Sequence, residues 1–179
     1  MTANDFDLAD PKSHFSTDER ARYFEDLEYA FIRCLAAYQR WIEESHLSAT
    51  GTTLGHQDIF VLHTIRLHEV PKTLSEISEF LNRKDLTNLS YSLRKLDKAG
   101  FIRRVPSTSG RQRRYEVTDE GEQVTNLAAT LREKVLLPSY ADRAQGNMPA
   151  VAEIEALMET YERATHVAVT HRTKLGRTR

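Results

Sequence analysis

Only one cysteine, Cys34, occurs in 179 residues, so the chain cannot close a disulfide on itself. That fits a reducing compartment, and a cytoplasmic protein is the expectation. Glycine and proline are also scarce, at seven and five, and so few helix breakers favour long helices. No apolar run reaches the roughly 20 residues that span a bilayer, and no membrane partner is expected. Residues 1–15 are polar and acidic, unlike a secretory leader, and residues 1–16 read as a flexible N-terminal arm. There is no His-x3-His or Cys-x2-Cys spacing, so no metal site is expected. There is no nucleophile elbow, Walker loop or dinucleotide fingerprint either. Neither an enzyme nor a cofactor is expected.

Net charge is nearly absent too, at −1, but its distribution is uneven. Residues 1–45 hold ten acids and five bases. Residues 83–114 hold ten bases and two acids, a local balance of +8. A neutral chain with one strongly basic segment carries the electrostatic footprint of a polyanion binder.

The periodicity gives an order of elements. Ser16 and Glu19 have capping-box spacing. Phe24, Leu27, Phe31, Leu35, Tyr38 and Ile42 then recur at helical intervals, predicting a long first helix over 17–47. Residues 48–55 read as a loop. A central helix follows from His56 to about His68, stopped by Val70-Pro71. Thr73 and Glu76 form a second capping box, opening a short helix that ends near Leu81. The next helix, 85–99, buries Leu86, Leu89, Leu93 and Leu96 and stops at Gly100. The period then changes. Residues 101–105 and 113–117 read as two strands joined by a Pro/Ser/Gly tip. Thr118 caps a further helix, and Pro149 opens a last one with the stripe Val151, Ile154, Leu157, Met158, Tyr161 and Ala164. Residues 171–179 form a basic tail.

Three helices followed by a hairpin make a winged helix-turn-helix. The expected fold is mainly α with a small β-hairpin, carrying N- and C-terminal dimerisation helices. The helix at 85–99 would bury its leucines and present Thr87, Asn88, Ser90, Tyr91, Arg94 and Lys95 outward. Hydroxyls, an amide and a guanidinium are groups that pair with base edges in the major groove. Arg111 and Arg113 on a thin projection suit a minor groove. Arg103, and Ser75 at a helix N-terminus, suit phosphates. The partner expected is double-stranded DNA.

The stretch 54–121 resembles the DNA-binding domain of the MarR family of bacterial regulators. Leu-Asp-Lys-Ala-Gly-Phe-Ile-Arg-Arg at 96–104 is similar to that family's recognition-helix end running into the first wing strand. Thr118-Asp119-Glu120-Gly121 resembles its Thr-x-x-Gly opening of the next helix, and Leu54-Gly55-His56-Gln57-Asp58 the start of its second helix. The family's wing tip usually reads Asp-x-Arg; here Arg111 matches the arginine, but Ser109 stands in place of the aspartate. The resemblance implies a homodimeric repressor. Residues 17–47 and 122–170 would form the dimerisation region, and two recognition helices would lie one duplex turn apart. It also implies a small aromatic or phenolic effector, with Tyr38, Trp41, His56, Phe60 and His63 as candidate cleft residues. Cys34, on the apolar side of the first helix, reads as a small core residue rather than a redox sensor. The competing reading is a winged-helix protein-interaction module without sequence-specific DNA binding. A third is a ligand-only or metal sensor.

Overall fold

The computed structural model describes residues 19–106, 113–138, 154–155, 158–163 and 165. The chain divides into two compact units, Met1–Arg132 and Glu133–Arg179. In the first, helix α1 (Glu19–Thr50) is followed by α2 (His56–Arg66), a 3-10 turn (Leu67–Glu69), strand β1 (Lys72–Thr73), α3 (Leu74–Phe80) and α4 (Leu86–Lys98). Strands β2 (Ile102–Val105) and β3 (Arg114–Val117) lead into α5 (Asp119–Leu131), and a π-helical turn covers Arg132–Leu136. In the second unit, residues 154–155, 158–163 and 165 are helical, with Ile154 and Met158 exposed. The capping box at Ser16, the wing tip at 107–112 and the basic tail lie outside the described residues. Among the described residues, no helix is long and apolar enough to cross a membrane.

The expected helix–helix–helix–hairpin order is present, with three differences. First, α1 runs on to Thr50, through residues expected as loop. Gly51 ends it in the left-handed region (φ +66), and its N–H donates to the Leu47 carbonyl at 2.8 Å. Second, the hairpin is the larger part of a three-stranded antiparallel sheet in the order β1-β3-β2. Lys72 pairs with Tyr115 and Thr73 with Arg114. A two-residue strand has no period to reveal it. Third, α2 ends at Arg66, and the chain turns through His68 and Glu69 with φ of 60 and 52. Lys72 holds this turn: its ammonium donates to the carbonyls of Ile65, Leu67 and Val70. A cation on the last carbonyls of a helix favours the negative end of its dipole.

The core is built where the stripes of α2, α3 and α4 meet. Ile59, Leu62, Ile65, Ile77, Leu89 and Leu96 are all at most 2% exposed. Ile42 of α1, Phe101, Ile102 and Val124 of α5 join the same cluster. Leu86, expected in this stripe, is exposed, because it sits in the first turn of α4 ahead of the layer formed by Leu89, Leu93 and Leu96. On α1 only Ile42 of the expected stripe is buried; Phe24, Phe31, Leu35 and Tyr38 each remain at least 40% exposed. Cys34 shares that uncovered stretch and is exposed, which corrects its expected place in a core.

Candidate nucleic-acid interface

The capping box at Thr73 sets the start of α3. The Thr73 hydroxyl accepts from the Glu76 N–H at 3.2 Å, and the Glu76 carboxylate accepts from the Thr73 N–H at 2.6 Å. Glu76 also meets Arg114 of β3 at 3.2 Å, which ties the sheet to the helix. The Thr73 N–H chiefly, then its hydroxyl and the Arg114 charge, hold the Glu76 carboxyl below its ordinary range. Replacing Thr73 with Ala should lower unfolding stability by about 1 kcal/mol in urea denaturation, the usual effect of losing an N-cap.

Ser75 is exposed in the first turn of α3. With Ser78, Leu86, Arg113 and Tyr115 it lines an open groove of about 560 Å³ between α3, the start of α4 and β3.

Helix α4 buries Leu89, Ser92, Leu93 and Leu96. Thr87, Asn88, Tyr91 and Arg94 stand exposed on the opposite side, and Ser90 is half-buried. The Arg94 guanidinium lies 5.9 Å from the centre of the Tyr91 ring, a spacing that lets the ring face steady the cation. At the helix start, Arg83 grips the Asp85 carboxylate with Nε at 3.0 Å and Nη2 at 2.8 Å. Asn88 donates to the same carboxylate at 3.1 Å. These bonds, Arg83 first, hold the Asp85 carboxyl down at about 2. Arg83 also reaches Gln57 of α2 at 3.2 Å, so this half-buried guanidinium joins two helices.

Lys95, a sequence candidate for the outer face, instead turns inward. Its ammonium meets the buried Asp58 carboxylate at 2.6 Å. Asp58 also accepts from the Gly55 N–H at 3.3 Å at the start of α2. One carboxylate thus caps α2 and fastens α4 to it. Replacing Lys95 with Met leaves Asp58 buried without its cation. Stability should fall by about 1–3 kcal/mol, read from the urea midpoint.

The wing is neutralised in the same way. Arg103 pairs with Glu116, its register partner across β2 and β3, at 2.6 Å. Arg104 meets Asp97 at 3.1 Å. Arg94 and Arg113 are exposed and make no ion pair among the described residues. Arg111 lies outside those residues. The structure therefore divides a basic segment that looked uniform in sequence. Arg83, Lys95, Arg103, Arg104 and Arg114 brace the domain, while Arg94 and Arg113 are exposed and Arg113 lines the groove.

Residues 54–121 match the family model described as a winged helix DNA-binding domain. Over about three quarters or more of its length the chain is similar to solved structures with the same architecture. AbfR, in a complex described as reduced AbfR bound to DNA, shares 21% identity with a TM-score of 0.62, covering 83% of this chain and 98% of that one. A mutant MarR from E. coli, complexed with operator DNA, shares 22% identity with a TM-score of 0.57, over 76% of this chain and 93% of that one. The transcriptional regulator MosR of M. tuberculosis, in complex with DNA, shares 17% identity with a TM-score of 0.55, over 78% and 96%. The chain has the MarR-type winged-helix fold. A comparison with curated proteins finds no match.

The chain also contains a cavity of about 330 Å³ between α1, α2 and α5. Four of the five expected cleft residues, Tyr38, Trp41, Phe60 and His63, line it. Tyr38 and Phe60 are stacked at 5.8 Å. His56 does not line it; its ring and backbone N–H both meet the Glu43 carboxylate at 2.8 Å. The backbone bond chiefly, then the ring, hold the Glu43 carboxyl below its usual range. Sequence reasoning missed His46, which is 1% exposed and lines the cavity with Arg132. Its signal was available: Tyr38, Ile42 and His46 follow one another every four residues, so the apolar stripe of α1 continues to His46.

Proposed function

We propose that this chain is a dimeric, sequence-specific DNA-binding regulator of transcription, acting as a repressor, with a small aromatic ligand setting its DNA affinity. The observation that carries this reading is the outer side of α4. There the hydroxyl of Thr87, the amide of Asn88, the phenol of Tyr91 and the ring-steadied guanidinium of Arg94 are exposed along one helix, and a groove at the start of that helix holds Ser75 and Arg113. Such groups suit base edges, and the groove suits the flanking backbone. Ser75 and Arg113 would hold phosphates, as would Arg103 where DNA displaces Glu116, and Arg111 would enter the minor groove from the wing tip. The structures of AbfR, MarR and MosR in complex with DNA support DNA binding by a protein of this fold. The place of action would be the cytoplasm, with the DNA.

Dimerisation is supported by the uncovered stripe of α1. Four large apolar residues left at least 40% exposed along one helix need a partner, and a second copy meets them with the same stripe. The helical residues of the second unit, with Ile154 and Met158 exposed, would contribute apolar surface of their own to dimerisation. Replacing Phe31 with Asp should give a monomer in analytical ultracentrifugation and weaken binding to a two-fold site by at least about 100-fold. The loss of linked second-site binding sets that magnitude. An unchanged dimer would remove α1 from the interface.

The decisive experiment is selection of bound duplexes from a random pool at near-physiological salt. The expected result is a two-fold symmetric site with half-sites about 10 bp apart. Affinity for it should fall steeply with added salt, as phosphate contacts require. Recovery of no shared sequence would overturn sequence-specific recognition.

A further inference from the structure

Asn88 stands in the first turn of α4, and Asp85 occupies the capping position of that helix. A capping carboxylate ordinarily accepts from a backbone N–H of the first turn. Asp85 makes no such bond among the described residues. Its carboxylate is turned to side chains instead. Arg83 takes both oxygens, with Nε at 3.0 Å from Oδ1 and Nη2 at 2.8 Å from Oδ2, and the Asn88 Nδ2 donates to Oδ2 at 3.1 Å. Arg83 is itself held from two further helices. Its Nη2 donates to the Gln57 side-chain oxygen on α2 at 3.2 Å, and its backbone N–H donates to the Ser78 carbonyl on α3 at 2.9 Å. A chain of polar contacts thus runs from α2 and α3, through Arg83 and Asp85, to an amide exposed on α4.

The two ends of an asparagine amide match in shape and differ only in hydrogen bonding. An unrestrained asparagine turns about its last bond and offers either end. At Asn88 the choice is made. The Arg83 hydrogen bonds first, then that of Asn88, hold the Asp85 carboxyl down at about 2, so at neutral pH it is an acceptor only. Turning the amide over would set Oδ1 against a carboxylate oxygen. Nδ2 therefore stays toward Asp85, with one of its two hydrogens used there. The other hydrogen and Oδ1 remain for a partner. One donor beside one acceptor is the complement of adenine in the major groove, which presents its N6 amino group and N7. Guanine presents two acceptors, O6 and N7, and would place O6 against Oδ1.

We infer that Asn88 reads one adenine in each half-site, and that Asp85 and Arg83 are positioning residues that make this reading selective against guanine. The inference rests on the proposed reading of DNA by α4 and adds to it the base and the device that selects it. The charges agree with a place beside DNA. A bare carboxylate at Asp85 would repel phosphates, and the bidentate Arg83 neutralises it. Selectivity here comes as much from the contact denied to guanine as from the one offered to adenine.

Duplex selection from a random pool would be run with the full-length parent, Asn88→Ala, Asp85→Ser and Asp85→Asn. Serine and asparagine both cap helices well, so α4 keeps its start in either Asp85 variant, and urea denaturation checks this. Serine is too short to hold the Asn88 amide, whereas asparagine keeps an acceptor oxygen in reach of it. At one adenine of each half-site the parent should reject guanine by about 10- to 100-fold. Asn88→Ala should accept all four bases there. Asp85→Ser should favour adenine over guanine by about threefold or less, while Asp85→Asn keeps most of the parent's preference. Other positions should be read as before. In the parent, 7-deazaadenine, which lacks N7, and purine, which lacks the N6 amino group, should each weaken binding by about tenfold at that position, and Asn88→Ala should be indifferent to both. A shared site whose Asn88-dependent position is not adenine would overturn the inference and leave sequence-specific reading standing. An adenine preference that survives Asp85→Ser would overturn the positioning role. Recovery of no shared sequence would overturn the inference together with the reading on which it rests.

Discussion

Gly121→Ala should be the most damaging single substitution in the domain, lowering stability by about 3 kcal/mol or more. A Cβ at this position would stand 2.0 Å from the Phe101 carbonyl oxygen and 2.9 Å from its carbon. The obstacle is backbone, so no change of rotamer relieves it. That carbonyl is itself fixed, since it accepts from the Thr118 N–H at 3.1 Å. Thr118 adds two further bonds at the same joint. Its hydroxyl donates to the Gly100 carbonyl at 2.6 Å and accepts from the Gly121 N–H at 3.1 Å. The start of α5 is thus clamped onto the residue that opens the wing. To admit a methyl group, α5 must lift from Phe101, which would expose Val124 and Phe101 together. Overpacking a well-filled site usually costs about 1–3 kcal/mol, and an immovable backbone partner puts this case at the top of that range. Urea denaturation monitored by circular dichroism checks it. A loss below about 1 kcal/mol would mean that α5 slides freely over the wing.

That joint explains why Thr118-Asp119-Glu120-Gly121 was informative as a sequence. The threonine caps the helix, and the glycine admits the carbonyl of Phe101. Other parts of the fold were readable for similarly local reasons. The leucines of α4 repeat on one side of a helix, and Thr73 and Glu76 bond to each other's backbone. Features that depend on distant partners were not readable. Lys95 lies on the polar arc of α4, and only the fold brings Asp58, 37 residues earlier, within 2.6 Å of it. Arg103 looks free until β2 and β3 pair and set Glu116 opposite it. β1 is too short to carry an alternation and exists because β3 offers it an edge. The stripe of α1 was read correctly as a helix face, but the same pattern serves a core and an interface. Sequence alone therefore placed Cys34 in a core that the chain does not build around it.

The separation of bracing from outward cations gives the sharpest functional test. On the site recovered by duplex selection, Asn88→Ala and Arg94→Ala should each weaken binding by about 10- to 100-fold, the range of one lost base contact. The loss should come mainly from preference. Competition against duplexes randomised at single positions should show each variant tolerating bases that the parent rejects, while affinity for unrelated DNA falls far less. Arg113→Ala should behave differently, weakening all sequences about equally and reducing the salt slope by about one, as a lost phosphate contact does. Lys95→Met is the internal control. Its cation is committed to Asp58, so the variant should be less stable yet keep the parent's base preference at every position. If Lys95→Met changes preference, the lysine leaves Asp58 for the DNA and the bracing assignment fails. If Asn88→Ala and Arg94→Ala leave preference intact, the outer side of α4 does not read bases.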